Sequence, residues 1–153
     1  MRSNKIINSF KIQIQAKSAN EAFSRAIISG FACQLDPTIE ELCDIKTAVS
    51  EAVTNCIVHA YGKDTPERKK VIRIQGFYDD ANLLTVKITD YGCGISDIKR
   101  AMEPLYTTGN DERSGMGFPI MESFTDKLTV KSIPGKGTTV IMRKYIGKEK
   151  NDI

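Results

Sequence analysis

The run Asp90-Tyr-Gly-Cys-Gly94 constrains this chain more than any other, because a strand signal leads straight into it. Leu84, Val86 and Ile88 alternate with polar residues, which predicts a strand with one buried face. Asp90 ends that run, and Gly92 and Gly94 turn the chain away from it. Two further glycine turns follow, at Ser114-Gly-Met-Gly-Phe118 and Gly135-Lys-Gly-Thr-Thr139. Upstream, Glu51 and Asn55 stand four residues apart within a helical pattern. A single Asp-Gly turn is ordinary, since both residues favour turns. Four such elements in this order describe a binding site built on a strand end, a helix and two loops.

The remaining periodicities supply the framework. Phe10, Ile12 and Ile14 alternate with Lys11, Gln13 and Gln15, giving a first strand. Ser18-Ala-Asn-Glu21 has capping-box spacing and opens a helix carrying Ala22, Phe23, Ala26, Ile27 and Phe31. That helix should end near Asp36-Pro37, because the residue before proline disfavours helix. Thr38-Ile-Glu-Glu41 repeats the box before a long helix with Ile39, Leu42, Ile45, Val49, Ala52, Val53, Cys56 and Ala60 on one side. Residues 71–78 and 83–89 read as strands joined by a turn at Asp79-Asp-Ala-Asn82. Residues 91–117 read as a functional loop or lid with a short helix near 98–102. A helix over 118–124 and a hairpin of 127–133 with 138–145 complete the order. This order predicts an α+β fold: a two-layer sandwich with helices on one face of a mixed, mainly antiparallel sheet. At 153 residues and 41% hydrophobic content, one domain is expected over 1–153, with its core at about 8–146 and a frayed C-terminal tail.

Charge and apolar patterning narrow the function classes. The net charge of +3 is weak, and no aromatics interleave with Arg68-Lys-Lys70 or the tail from Arg143 to Lys150, so no direct nucleic-acid partner is expected. No apolar run approaches membrane-spanning length and the N-terminus has no signal core, so a cytoplasmic protein without membrane contact is expected. Cys33, Cys43, Cys56 and Cys93 lie far apart without CxxC pairs, which argues against a zinc site. Three of them fall at apolar positions of expected helices and read as reduced core residues.

Glu51 and Asn55 share a stripe on their helix. Asparagine is a poor residue for a helix interior, because its side chain competes for backbone bonds. An amide oxygen together with three phosphates and water is a donor set that suits magnesium. Glu51 could then orient or deprotonate an attacking hydroxyl. A carboxylate at Asp90 could accept from the exocyclic amine of adenine, where guanine presents an oxygen. Gly92 and Gly94 would let backbone approach the base, and Gly115 and Gly117 would let amides face anionic oxygens. Arg113 is the cation nearest that second loop, placed to pair with a phosphate or a partner's acid. His59, the only histidine, reads as a polar contact at the edge of the site.

These elements together resemble the Bergerat-type ATP site of the GHKL superfamily. The strings Val49–Tyr61, Glu103-Pro-Leu-Tyr-Thr-Thr108, Glu112–Phe118 and Ile120-Met-Glu122 resemble, more narrowly, the anti-sigma-F family of small serine-protein kinases. The resemblance covers roughly Phe10 to Tyr145. It implies a cytoplasmic homodimer that holds a sporulation sigma-F factor inactive. It also implies Mg2+- and ATP-dependent phosphorylation of a serine on a STAS-type anti-anti-sigma factor. Glu51 would be the catalytic base, Asn55 the magnesium ligand and Asp90 the adenine contact. Gly92, Gly94, Thr107, Thr108, Ser114, Gly115, Met116, Gly117 and Thr138 would line the nucleotide, while Arg25 and Arg113 would meet protein partners. Departures from the pattern are Tyr91, Cys93 and Thr107-Thr-Gly-Asn-Asp111, and none removes a required chemical group. Two other readings stay open: a general-stress anti-sigma kinase of the same superfamily, and a non-catalytic ATP-dependent binding module.

Overall fold

A computed structural model of the protein describes residues 3–103 and 117–147. Five strands form one sheet: β1 (Ile6–Gln15), β2 (Val71–Asp79), β3 (Leu83–Asp90), β4 (Lys127–Ile133) and β5 (Gly137–Tyr145). Their spatial order is β1-β2-β3-β5-β4. All four pairings are antiparallel, so the mixed pairing allowed for above is not seen among the described strands. The helices are α1 (Ala19–Ala32), α2 (Ile39–Asn55), the short α3 (Ile98–Ala101) and α4 (Gly117–Ser123).

The core lies between the sheet and this helical layer. Ile14, Ile72, Ile74, Leu84, Val86, Ile88, Val140 and Met142 point inward from the strands. They meet Ile28, Phe31, Ile45, Val49, Ala52, Val53, Phe118 and Met121 from the helices. Burying such side chains contributes roughly 1.5–3 kcal/mol each, which makes this interface the main source of stability. Phe10 lies opposite Gly76 on the neighbouring strand, and a Cβ there would stand 2.4 Å from the Phe10 ring. The ring also packs edge-on against Phe31, with centroids 4.7 Å apart.

Register decides what one end of this core contains. Cross-strand pairing aligns Ile14, Ile72, Asp90, Thr138 and Ser132 in a single row across all five strands. Side chains of such a row share a face, so Asp90 and Thr138 point toward the helices as Ile72 does. The inner face of the sheet therefore turns from apolar to polar at the end where β3 and β4 finish.

The helix starts behave differently from one another. At α2 the capping box forms: Thr38 Oγ1 accepts from the Glu41 amide at 3.1 Å, and Glu41 Oε1 accepts from the Thr38 amide at 2.8 Å. At α1 it does not form. Ser18 has helical backbone angles and makes no side-chain cap. Glu21 instead pairs with Arg25 and accepts from the Ser50 hydroxyl, tying α1 to α2. The buried stripe of α1 is also shifted from the expected one, running through Ser24, Ile28, Phe31 and Ala32. Ser24 is tolerated there because its hydroxyl donates to the Glu21 carbonyl at 2.6 Å. Phe23 is left 51% exposed.

The helix expected to run to Ala60 changes character at Cys56. Residues Cys56–Ala60 form a π-helical turn, and Tyr61 then leaves in an extended conformation. Of the cysteines, Cys56 alone is a core residue; Cys33, Cys43 and Cys93 are exposed, and all four are free thiols. Cys33 and Cys43 correct the expectation, because both lie off the buried faces of their helical segments.

Candidate functional site

The polar end of the inner row opens into a cleft of about 190 Å³ between sheet and helices. Its floor is Asp90, Thr138 and Val140, and its roof is Ala52, Asn55, Cys56, His59 and Ala60. Cys93, Gly94, Ile95, Ser96, Asp97 and Ala101 close one side, and Gly117 and Phe118 another. Apolar walls with a few convergent polar groups are the usual lining of a small-molecule site. A flat heterocycle with one polar edge fits that description.

Asp90 is the most constrained polar group in the cleft. It is 7% exposed. Its Oδ1 accepts from the Gly92 amide at 3.0 Å, and the Cys56 thiol donates to Oδ2 across 3.6 Å. Burial pushes the Asp90 carboxyl above its ordinary range, partly opposed by bonds from the Gly92 amide, the Cys56 thiol and the Thr138 backbone. Buried carboxylates are costly unless hydrogen-bonded. The three donors show how this one is accommodated.

The glycine turn that follows is fastened on both sides. The Cys93 amide donates to the Ala60 carbonyl at 2.7 Å, and the Gly135 amide donates to the Cys93 carbonyl at 2.7 Å. Gly92 passes so close to the π-helical turn that a Cβ would lie 2.0 Å from the Ala60 oxygen. Gly94 has φ +75°, and a Cβ there would lie 2.4 Å from the Ile133 oxygen. The two glycines are thus required by the fit of this loop against backbone. Ser132 completes the support, accepting from the Ile95 amide at 2.7 Å and contacting the Thr138 hydroxyl at 2.8 Å.

Asn55 reaches the cleft from the last turn of α2. A Cβ on Gly117 would lie 2.9 Å from its Nδ2 and 3.1 Å from its Oδ1, so this glycine leaves room for the amide. Among the described residues no group of three or more His, Cys, Asp or Glu side chains could cage a metal. A single neutral amide oxygen suits a metal that arrives with phosphates and keeps most of its water.

The structure thus brings together Asn55, Asp90, Gly94, Gly117 and Thr138. Gly92 packs behind the loop, outside the cleft lining. Glu51 is partly buried one turn before Asn55 and lies outside that lining as well. Arg25 is remote from the cleft on α1, with Nε 2.9 Å from Glu21 Oε1 and a side chain 42% exposed. Thr107, Thr108, Arg113, Ser114, Gly115 and Met116 lie outside the described residues, as do residues 104–116 of the loop expected over 91–117 and the tail from 148. Cys56 and Ser132 were not singled out for this site by their sequence context. Cys56 looks like an ordinary core residue, and Ser132 looks like a strand residue until register places it beside Thr138.

Comparison with known proteins gives the family of the chain. Residues 14–144 match the model of the histidine kinase-like ATPase domain family. The chain is 51% identical over 144 residues to the anti-sigma F factor of Caldanaerobacter subterraneus, covering 94% of this chain and 97% of that one. It is 46% identical to the anti-sigma F factor of Geobacillus kaustophilus, covering 94% and 96%. Among solved structures, the RsbU and RsbW domains of a Mycobacterium tuberculosis protein superpose with a TM-score of 0.69 at 15% identity. That match covers 94% of this chain and 34% of the other, and it shows a common fold.

Proposed function

The chain belongs to the histidine kinase-like ATPase domain family, among its anti-sigma F factors, and from that membership we propose that it is an ATP-dependent anti-sigma factor and serine protein kinase. The observation that carries the ATP reading is the inner row of the sheet, which ends in Asp90 and Thr138 beneath Asn55. In this reading the base enters between the apolar walls and gives its exocyclic amine to Asp90. Guanine would bring an oxygen to the same carboxylate, leaving two acceptors facing each other. The phosphates extend toward Asn55 and Gly117, where Asn55 Oδ1 and the phosphate oxygens together would hold Mg2+. When bound, the ion would supply charge neutralisation at the phosphates. Glu51, one turn back along α2, orients the incoming serine hydroxyl and takes its proton.

The protein partners follow from the relatives. Anti-sigma F factors at about half identity over nearly the whole chain support a sporulation sigma-F factor as the inhibited partner. A serine on a STAS-type anti-anti-sigma factor is the proposed phosphoacceptor, and a cytoplasmic homodimer the working form. Arg25, held by Glu21 with its side chain 42% exposed, offers a positioned cation on α1, which suits an interface anchor.

Transfer of label from γ-labelled ATP to the STAS protein tests the proposal. General-base assistance is typically worth about 10²–10⁴ in rate. Glu51→Gln should therefore bind nucleotide normally while transferring label at least about a hundredfold more slowly. Full activity in that variant would remove Glu51 from the role of base. No transfer by the wild-type protein would remove the kinase reading.

A further inference from the structure

Asp90 can read a base only if its carboxylate is held at one rotation and stays ionised. Its own backbone sees to half of this, through the Gly92 amide on Oδ1 two residues ahead. The other oxygen is met from a different element, by the thiol of Cys56 at the start of the π-helical turn. We propose that Cys56 is a positioning residue for nucleotide recognition, its S–H fixing Asp90 Oδ2 so that the carboxylate's remaining lone pairs face the base. This rests on the adenine-nucleotide reading above.

Cys56 is suited to the task because it is 4% exposed and faces both core and cleft. A cysteine thiol keeps its hydrogen at neutral pH, so Cys56 is available there as a donor. A hydrogen bond to the charged form favours that form. The other groups around Asp90 are His59 and Asp97 across the cleft, Tyr61 after the π turn, and the hydroxyls of Thr138 and Ser132. Among the described side chains, only Cys56 is placed as a direct donor to Asp90 Oδ2.

Removing the thiol hydrogen should raise the Asp90 carboxyl further. ATP binding, which needs the ionised acceptor, is present above that pKa and lost as pH falls through it. Cys56→Ala should thus lose affinity at a higher pH than wild type. Cys56→Ser keeps a donor and should return the acid limb to the wild-type position or below it.

The test is fluorescence titration of the intact protein with a mant-ATP probe, with magnesium, from about pH 3.5, below the ordinary aspartate range, up to about pH 8. One hydrogen bond is typically worth a factor of about two to ten. The expected result is mant-ATP binding weakened by about that factor in Cys56→Ala, with its acid limb displaced upward. Cys56→Ser should restore both, and Asp90→Asn should show no acid limb from this group. A Cys56→Ala protein that follows the wild-type profile throughout would overturn the proposal. So would a Cys56→Ser protein no better than Cys56→Ala. Failure of wild type to bind mant-ATP, or equal binding by Asp90→Asn, would instead bring down the nucleotide reading on which it rests.

Discussion

At the scale of single residues, Asp90, the proposed adenine contact, has a carboxyl whose burial opposes the stability of the fold. Burial is the largest influence on its carboxyl and raises it above the ordinary 3.8, while three donors pull the other way. A carboxyl whose folded pKa lies above its unfolded value stabilises the fold only while protonated. That contribution is complete below the unfolded value and is lost as pH rises through the folded one. Asp90→Asn removes the charge and keeps the shape. The nucleotide-free variant should therefore melt at a higher temperature than wild type at neutral pH, by about 2–4 °C for each kcal/mol recovered. The gap should narrow as pH is lowered through the carboxyl's range. Thermal melts at neutral and acid pH check this. A lower melting temperature at neutral pH would mean that the Gly92, Cys56 and Thr138 bonds outweigh the desolvation. The direction of Asp90 was legible in the sequence, because Leu84, Val86 and Ile88 place the next alternate residue on the same face. Its bond to Cys56 was not, since 34 residues separate the two.

Elements explain the glycines better than residues do. Gly92 and Gly117 stand in similar-looking glycine motifs, yet their surroundings differ in kind. A Cβ on Gly92 would strike the Ala60 carbonyl, a backbone atom fixed by the π-helical turn and by the Cys93 amide. A Cβ on Gly117 would press on the end of the Asn55 side chain, which can rotate away. Gly92→Ala should therefore destabilise the fold, by about 1–3 kcal/mol as overpacking typically does. Gly117→Ala should leave the melting temperature within about 2 °C of wild type, a shift below about 1 kcal/mol. It should still weaken magnesium-dependent nucleotide binding by displacing the Asn55 amide. Denaturation curves measured beside nucleotide titrations separate the two. Loss of stability in Gly117→Ala with unchanged affinity would contradict this division. Helix spacing alone could not show it: the capping box at Thr38 formed as its sequence suggests, whereas the one at Ser18 gave its glutamate to Arg25 and Ser50. Local signals settle a helix start only when tertiary partners do not claim the same side chains.

For the whole molecule, periodicity was enough to recover the two layers and the run of elements in order. Alternation marked the strands, and three- and four-residue spacing marked α2. What periodicity cannot give is which strands become neighbours. Insertion of β5 between β3 and β4 puts Thr138 beside Asp90 and Ser132 beside Thr138, and so makes the polar end of the core. That arrangement is a long-range property of the sheet, with Asp90 and Thr138 48 residues apart in the sequence. The same arrangement is the basis for reading the cleft as an adenine-nucleotide site. The most direct test is equilibrium titration of wild type and Asp90→Asn with magnesium-ATP and magnesium-GTP. The account predicts saturable ATP binding by wild type, much weaker GTP binding, and a loss of about 1–3 kcal/mol of ATP affinity in Asp90→Asn. Equal affinity for the two nucleotides, or unchanged ATP affinity in the variant, would contradict it.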